Sequence, residues 1–148
     1  MTENQIFNIT DESQSVQAHI SILQNIVQRM AANSSSCKSW SITLASAILV
    51  IVADKGKPDF AWIAMLPTIV FAFLDAYYLA LEKGFRETYN NFVKKLHSQE
   101  LQPTDLYVIQ PSGNTACHQF SALKSISVWG FYLPLVLLIC ITKIIVIG

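Results

Sequence analysis

The chain has 148 residues, 52% of them hydrophobic and only 14% charged, with a mean hydropathy of +0.39. That balance excludes an ordinary soluble domain and points to a membrane class. Ten basic and ten acidic residues cancel to a formal net charge of zero, with no basic tail and no aromatic–basic interleaving, which argues against nucleic acid as a partner.

In chain order, residues 1–14 are polar and are expected to form a flexible amino terminus. No uninterrupted apolar stretch or cleavage pattern precedes residue 37, so the first membrane helix is expected to direct insertion itself. From Val16 the pattern changes. Val16, Ile20, Leu23, Val27 and Met30 are spaced by four, three, four and three, the seam of an amphipathic cytoplasmic helix over 15–36 with Ser13 or Ser15 as N-cap. Asn33-Ser34-Ser35-Ser36, all poor helix formers, are expected to kink the chain or cap a new start.

A first transmembrane helix and its outer turn are assigned to 37–59. The 15 residues between Lys38 and Asp54 make only about 22 Å of helix against a hydrocarbon core of about 30 Å. Burial of Lys38, outward reach of Lys55 and Lys57, or local thinning of the bilayer would each make up the difference. The second transmembrane helix, 60–81, carries Trp62 and Tyr77-Tyr78 as interfacial anchors, Pro67 as an expected kink, and one charge, Asp75. A carboxylate near the centre of such a helix costs about 2.5–3.5 kcal/mol, so it calls for a partner. If Asp54 to Asp59 is a tight turn between antiparallel helices, facing residues have numbers summing to about 113, and Asp75 then faces Lys38. The same register sets Ala61, Ala64, Thr68 and Ala72 against Val52, Leu49, Ala45 and Ser41, a seam of mostly small residues that lets backbones approach in lipid.

Residues 82–100 read as a second amphipathic cytoplasmic helix, with Phe85, Tyr89, Phe92 and Leu96 on one face and Glu82 four residues before Arg86. The register places Ile20 near Phe92, Leu23 near Tyr89 and Val27 near Phe85, so the hairpin continues out of the membrane as a stem whose soft point is Gly84. Residues 101–125 are expected to be irregular and cytoplasmic, with Leu106 to Ile109 as a short strand or extended piece and Cys117-His118 as an ordinary exposed pair. The third transmembrane helix, 126–148, has Trp129 at its start, a further expected kink at Pro134, and Lys143 reaching the far interface.

The fold class is therefore an all-α membrane protein: an antiparallel hairpin continuing into a cytoplasmic stem, plus a third span. Arg29, Lys38, Lys83, Arg86, Lys94, Lys95 and Lys124 flank the spans on the stem side, which places the amino terminus in the cytoplasm. Cys37, Cys117 and Cys140 form neither a disulfide framework nor a metal-ligand cluster. No His-Glu-x-x-His, phosphate-binding glycine loop or Gly-x-Ser-x-Gly occurs, and His19, His97 and His118 lie outside the apolar runs, so neither an enzyme nor a cofactor is expected.

Arg29-Met30-Ala31-Ala32-Asn33-Ser34 leading to Lys38-Ser39-Trp40, with Phe73-Leu74-Asp75-Ala76-Tyr77-Tyr78-Leu79 followed by Glu82 and Phe85-Arg86, resembles a group of small bacterial membrane proteins. More loosely, about residues 15–98 resemble the SLATT-type two-helix effectors associated with anti-phage systems. The resemblance implies an oligomeric effector of the bacterial inner membrane that permeabilises or depolarises it when a cytoplasmic sensor protein or small-molecule signal acts. In that picture the Lys38/Asp75 pair closes the hairpin at rest, and a signal shifts the helices about Pro67 and Gly84. The alternative is a passive anchor or assembly subunit of a larger membrane complex. The third apolar run departs from the two-helix pattern.

Overall fold

The computed structural model describes residues 13–144, and no strand occurs among them. Residues 1–12 of the expected flexible terminus and 145–148 of the third span lie outside the described residues. Helix α1 spans Gln14–Lys55, 42 residues, or about 63 Å at 1.5 Å per residue. It does not break at Asn33 to Ser36. Met30, Ser34, Cys37, Ser41 and Ala45 are all buried, and their steps of three and four residues carry one packed face straight through the serine run. On the other face Ser39 Oγ donates to Ser35 O at 3.3 Å and Thr43 Oγ1 to Ser39 O at 2.8 Å, so these hydroxyls fold back on their own helix. Tertiary packing overrides weak local propensity there.

Gly56 stops α1 in the left-handed region, φ 58°, donating to Ala53 O at 3.2 Å while Lys57 N–H reaches Val52 O at 3.4 Å. The chain does not enter the second span as an α-helix. Pro58–Ala64 is a 3₁₀ helix, and α2 follows over Met65–His97. Pro67 accordingly makes no mid-span kink: it is the third residue of α2, in the first turn, where N–H groups lack intrahelical acceptors. Thr68 Oγ1 donates to Ala64 O at 2.9 Å across that junction.

Helices α1 and α2 pack antiparallel along their length. Ala45, Leu49 and Val52 bury against Ala61 and Ala64 near the turn, and His19 lies on Phe92 far from it, ring centroids 4.3 Å apart. Ser41, Ala45, Ala61, Ala64 and Thr68 are buried in this seam, and Ala72 is partly buried beside it. At the stem, Leu23 and Phe92 are buried, but the structure puts His19, not Ile20, in the packed face. Ile20, Val27, Phe85 and Tyr89 are only half-buried.

Residues 101–125 are less irregular than expected. A 3₁₀ turn, Pro103–Asp105, is followed by extended chain without a strand, in which Tyr107 takes a φ of 62°. Helix α3, Thr115–Leu123, then forms, its N-cap Asn114 Oδ1 accepting from Ala116 N–H at 3.0 Å. The Cys117-His118 pair splits: Cys117 is exposed, whereas His118 Nε2 is 3.2 Å from Glu87 Oε2 and 3.2 Å from Ser112 O. Helix α4, Ile126–Thr142, runs continuously through the exposed Pro134, and the 46° bend lies instead between α3 and α4, at Lys124 and Ser125.

Gly84 is a packing contact. It is buried mid-helix, Ser112 N–H donates to its carbonyl at 3.2 Å, and a Cβ added there would stand 2.9 Å from Pro111 Cβ. Thr88 Oγ1, one turn on, accepts from Ser112 N–H at 2.9 Å and donates to Gln110 O at 2.7 Å. The missing side chain is what lets residues 110–112 lie on α2. Gly84→Val is therefore expected to cost about 1–3 kcal/mol by overpacking and to raise amide exchange at Ser112. Unchanged exchange there would refute the close approach.

The α1 helix and the Pro58–His97 stretch are each long and apolar enough to cross a membrane. Helices α3 and α4 meet that standard only when taken together through their bend.

Candidate functional site

Where the three apolar helices meet, a polar cluster forms. Ser34, Cys37, Lys38 and Ser41 fall on one face of α1 because they are three or four residues apart. Asp75 projects from α2 and Tyr132 from α4. The Asp75 side chain is 0% exposed and that of Lys38 20%, with Lys38 Nζ 2.6 Å from Asp75 Oδ2. Ser34 Oγ donates to Asp75 Oδ1 and accepts from Lys38 Nζ at 3.3 Å. Lys38 is the ionic partner of Asp75 Oδ2, and the Tyr132 hydroxyl is a further polar group beside the carboxyl. Removing Lys38 would leave a buried carboxylate without its counter-charge.

Tyr132 Oη donates to Phe71 O at 3.1 Å, tying α4 to α2 one turn from Asp75. Cys37 and Tyr132 both lie near enough to Asp75 to feel its charge. Ser41 Oγ is buried and without a hydrogen-bond partner among the described residues. Around the cluster, Val128 and Tyr132 pack with Ala76, Ala80 and Ala122.

Depth decides what this cluster is. Lys38 and Asp75 each stand 16 or 17 residues from the turn, about 25 Å along their helices and so close to one full hydrocarbon thickness of about 30 Å. Exposed bulky apolar side chains cover Trp40 to Ile51 of α1, Phe60 to Tyr77, and Ile126 to Ile144. The ion pair therefore sits at the rim of this belt, level with the exposed Trp40, Tyr77 and Trp129, and not at its centre. At the opposite rim Lys143 Nζ lies 4.7 Å above the Trp62 ring and 3.9 Å from Asp59 Oδ1.

A second polar centre lies at the far end of the stem. Tyr107 N–H donates to His19 Nδ1 at 3.0 Å, and the buried ring rests on Phe92. Burial pushes the His19 imidazole below its ordinary range. Lys95 Nζ, 2.8 Å from Asp105 Oδ1, together with the Gln102 N–H holds the Asp105 carboxyl below the usual carboxylate range. His19, Thr88, Asn91, Lys95 and Asp105 surround an open cavity of about 240 Å³.

Of the residues singled out from sequence, Lys38 and Asp75 meet, the small-residue seam runs from them toward the turn, and Pro67, Gly84 and Pro134 stand apart in three different settings. Ser34, Cys37 and Tyr132 were missed, although the spacing 34, 37, 38, 41 marks the first two. His19 was missed because the seam was read through its apolar neighbour. Among the described residues no group of three His, Cys, Asp or Glu side chains converges as a metal-ligand set would. No family model matches the chain, and neither a curated protein nor a solved structure matches it.

Proposed function

We propose that this chain is a multi-pass protein of the bacterial inner membrane that assembles with copies of itself into a membrane-perturbing or pore-forming effector, and that it has no catalytic role. In this reading α1 and α2 form a hairpin whose apolar half and α4 cross the bilayer, while the basic-flanked stem and the amino terminus face the cytoplasm. The resemblance of residues 15–98 to SLATT-type effectors favours anti-phage defence as the setting, with a cytoplasmic sensor or small-molecule signal acting on the stem.

One observation carries the assembly. Between the exposed Trp40, Ile42, Leu44 and Val50, the outward side of α1 carries a stripe of Ser36, Ser39, Thr43, Ser46 and Ala47, all exposed. The outward faces of the neighbouring helices are bulky and apolar: Leu66, Ile69, Val70 and Phe73 on α2, Leu133, Leu137 and Leu138 on α4. A small, hydroxyl-bearing stripe suits another helix or an aqueous path better than lipid tails. One such chain encloses nothing, so a path requires several copies, each presenting this stripe inward.

The competing reading, a passive anchor or assembly subunit, is favoured by the Ser39 and Thr43 hydroxyls, which bond carbonyls of their own helix and so do not need water. Electrical recording separates the two. Purified protein in planar bilayers is expected to conduct, and Thr43→Leu combined with Ser46→Leu to reduce unitary conductance. A silent wild-type protein that also fails to depolarise cells on expression would leave the anchor standing.

A further inference from the structure

Beside the turn, the end of α1 and the 3₁₀ helix Pro58–Ala64 pack through Val52, Leu49, Ala61 and Ala64 but leave a groove along one flank of that contact. A 3₁₀ helix is narrower than an α-helix, and here it turns the small Ala61 and Ala64 toward α1 while Phe60 and Ile63 stand outward. The result is an open groove of about 310 Å³ walled by Ile48, Ile51, Val52, Phe60 and Ile63. Its only charged lining residues are Lys55 and Lys57. Neither ammonium is firmly held: Lys55 Nζ is 3.8 Å from Asp54 Oδ2 with both side chains well exposed, and Lys57 Nζ is 5.8 Å from the Phe60 ring centroid, near the limit of cation–π attraction. Asp59, the other acid of the turn, is outside the groove and faces Lys143.

We infer that this groove binds one acyl chain of an anionic phospholipid, whose phosphate is held between Lys55 and Lys57. The inference rests on the membrane-spanning reading, which puts the apolar walls at acyl depth and both ammoniums at headgroup depth. Charge complementarity selects the headgroup. Two loosely held cations at the mouth of an apolar slot attract a net negative phosphate, whereas phosphatidylcholine brings its own cation to the same place. Gly56 is what turns Lys57 back over the groove, through its left-handed φ of 58°.

Phe60 lines the groove, so Phe60→Trp can report occupancy once Trp40, Trp62 and Trp129 are replaced by Phe. Full-length protein of that background would be reconstituted into phosphatidylcholine vesicles containing brominated phosphatidylglycerol or, in parallel, brominated phosphatidylcholine. The brominated phosphatidylglycerol is expected to quench the indole at position 60 severalfold more strongly at equal mole fraction. Lys55→Gln with Lys57→Gln should bring its curve onto that of phosphatidylcholine, while Lys143→Gln should not. Equal quenching by both lipids, as expected if a second copy covers the groove, overturns the inference, as does a preference that survives the double lysine variant or vanishes with Lys143→Gln. Failure of the protein to float with the vesicles brings down the membrane reading and this inference together, so the two failures are told apart.

Discussion

Lys38→Ala is expected to cost the folded protein about 3–5 kcal/mol, the range for stranding a buried charge. Asp75 is 0% exposed and Lys38 is the cation paired with it, so when the ammonium is removed only the neutral Ser34 and Tyr132 hydroxyls remain beside the acid. The reverse change should cost less. The Lys38 side chain is already 20% exposed at the rim of the apolar belt, and without Asp75 it can straighten toward headgroups and water. This asymmetry is itself a test of depth, because a pair at the bilayer centre would strand either partner at similar cost. Lys38→Met combined with Asp75→Leu should recover most of the loss, since replacing both ions with apolar groups removes the desolvation penalty along with the attraction. Exchanging the two residues should recover less: an aspartate at 38 is too short to span the gap, and a lysine at 75 would have to fit where no surface is open. Reversible unfolding in detergent micelles, run as a double-mutant cycle, measures all four effects. Equal and additive single losses would show that the two side chains do not interact.

That pair was legible because an antiparallel hairpin makes facing residue numbers sum to a constant, both helices rising by the same step per residue. Lys38 and Asp75 satisfy it about 25 Å from the turn; His19 and Phe92 have drifted from it by two residues at the far end of the stem. The drift is what hid His19. The 3₁₀ start of the second span lies on the turn side of both pairs and shifts them alike, so the drift arises within the stem itself, where 19 residue steps of α1 run beside 17 of α2. Local propensity misled in the other places. Asn33 to Ser36 look like a break, yet Ser34 occupies the packed face and donates to Asp75, so a poor helix former stays helical because its hydroxyl is used. Pro67 looks like a kink in a long α-helix, but the α-helix had not begun early enough for it to interrupt. Gly84 reads as a weak point until the segment that covers it is known, and that contact is 27 or 28 residues distant in sequence, beyond any local pattern.

Acid is expected to release residues 103–110 from the stem. Tyr107, held at a φ of 62°, is anchored through its N–H to His19 Nδ1, and that nitrogen can accept only while it carries no proton. Burial lowers the imidazole pKa below its ordinary 6.5, so the folded form favours neutral His19. Above about pH 6.5 the imidazole is neutral both folded and unfolded, and its contribution is fully present. As pH falls below that value the unfolded or detached form takes up the proton first, and the contact weakens by up to about 1.4 kcal/mol per pH unit until the folded pKa is reached. The charged groups facing the ring do not reverse this. Lys95 and Asp105 share its cavity, and because the Asp105 carboxyl is held below the usual carboxylate range it stays ionised through the window in which His19 titrates. His118 belongs to a different contact, with Glu87 Oε2 at 3.2 Å. A spin label at the exposed Ile109 should therefore be more mobile at about pH 5.5 than at about pH 7.5. His19→Phe, which keeps a ring against Phe92 but deletes the acceptor, should leave the label mobile at both. A label whose mobility in the wild-type background ignores pH, or a His19→Phe variant that keeps the pH response, would place the sensitivity elsewhere and leave His19 a packing residue.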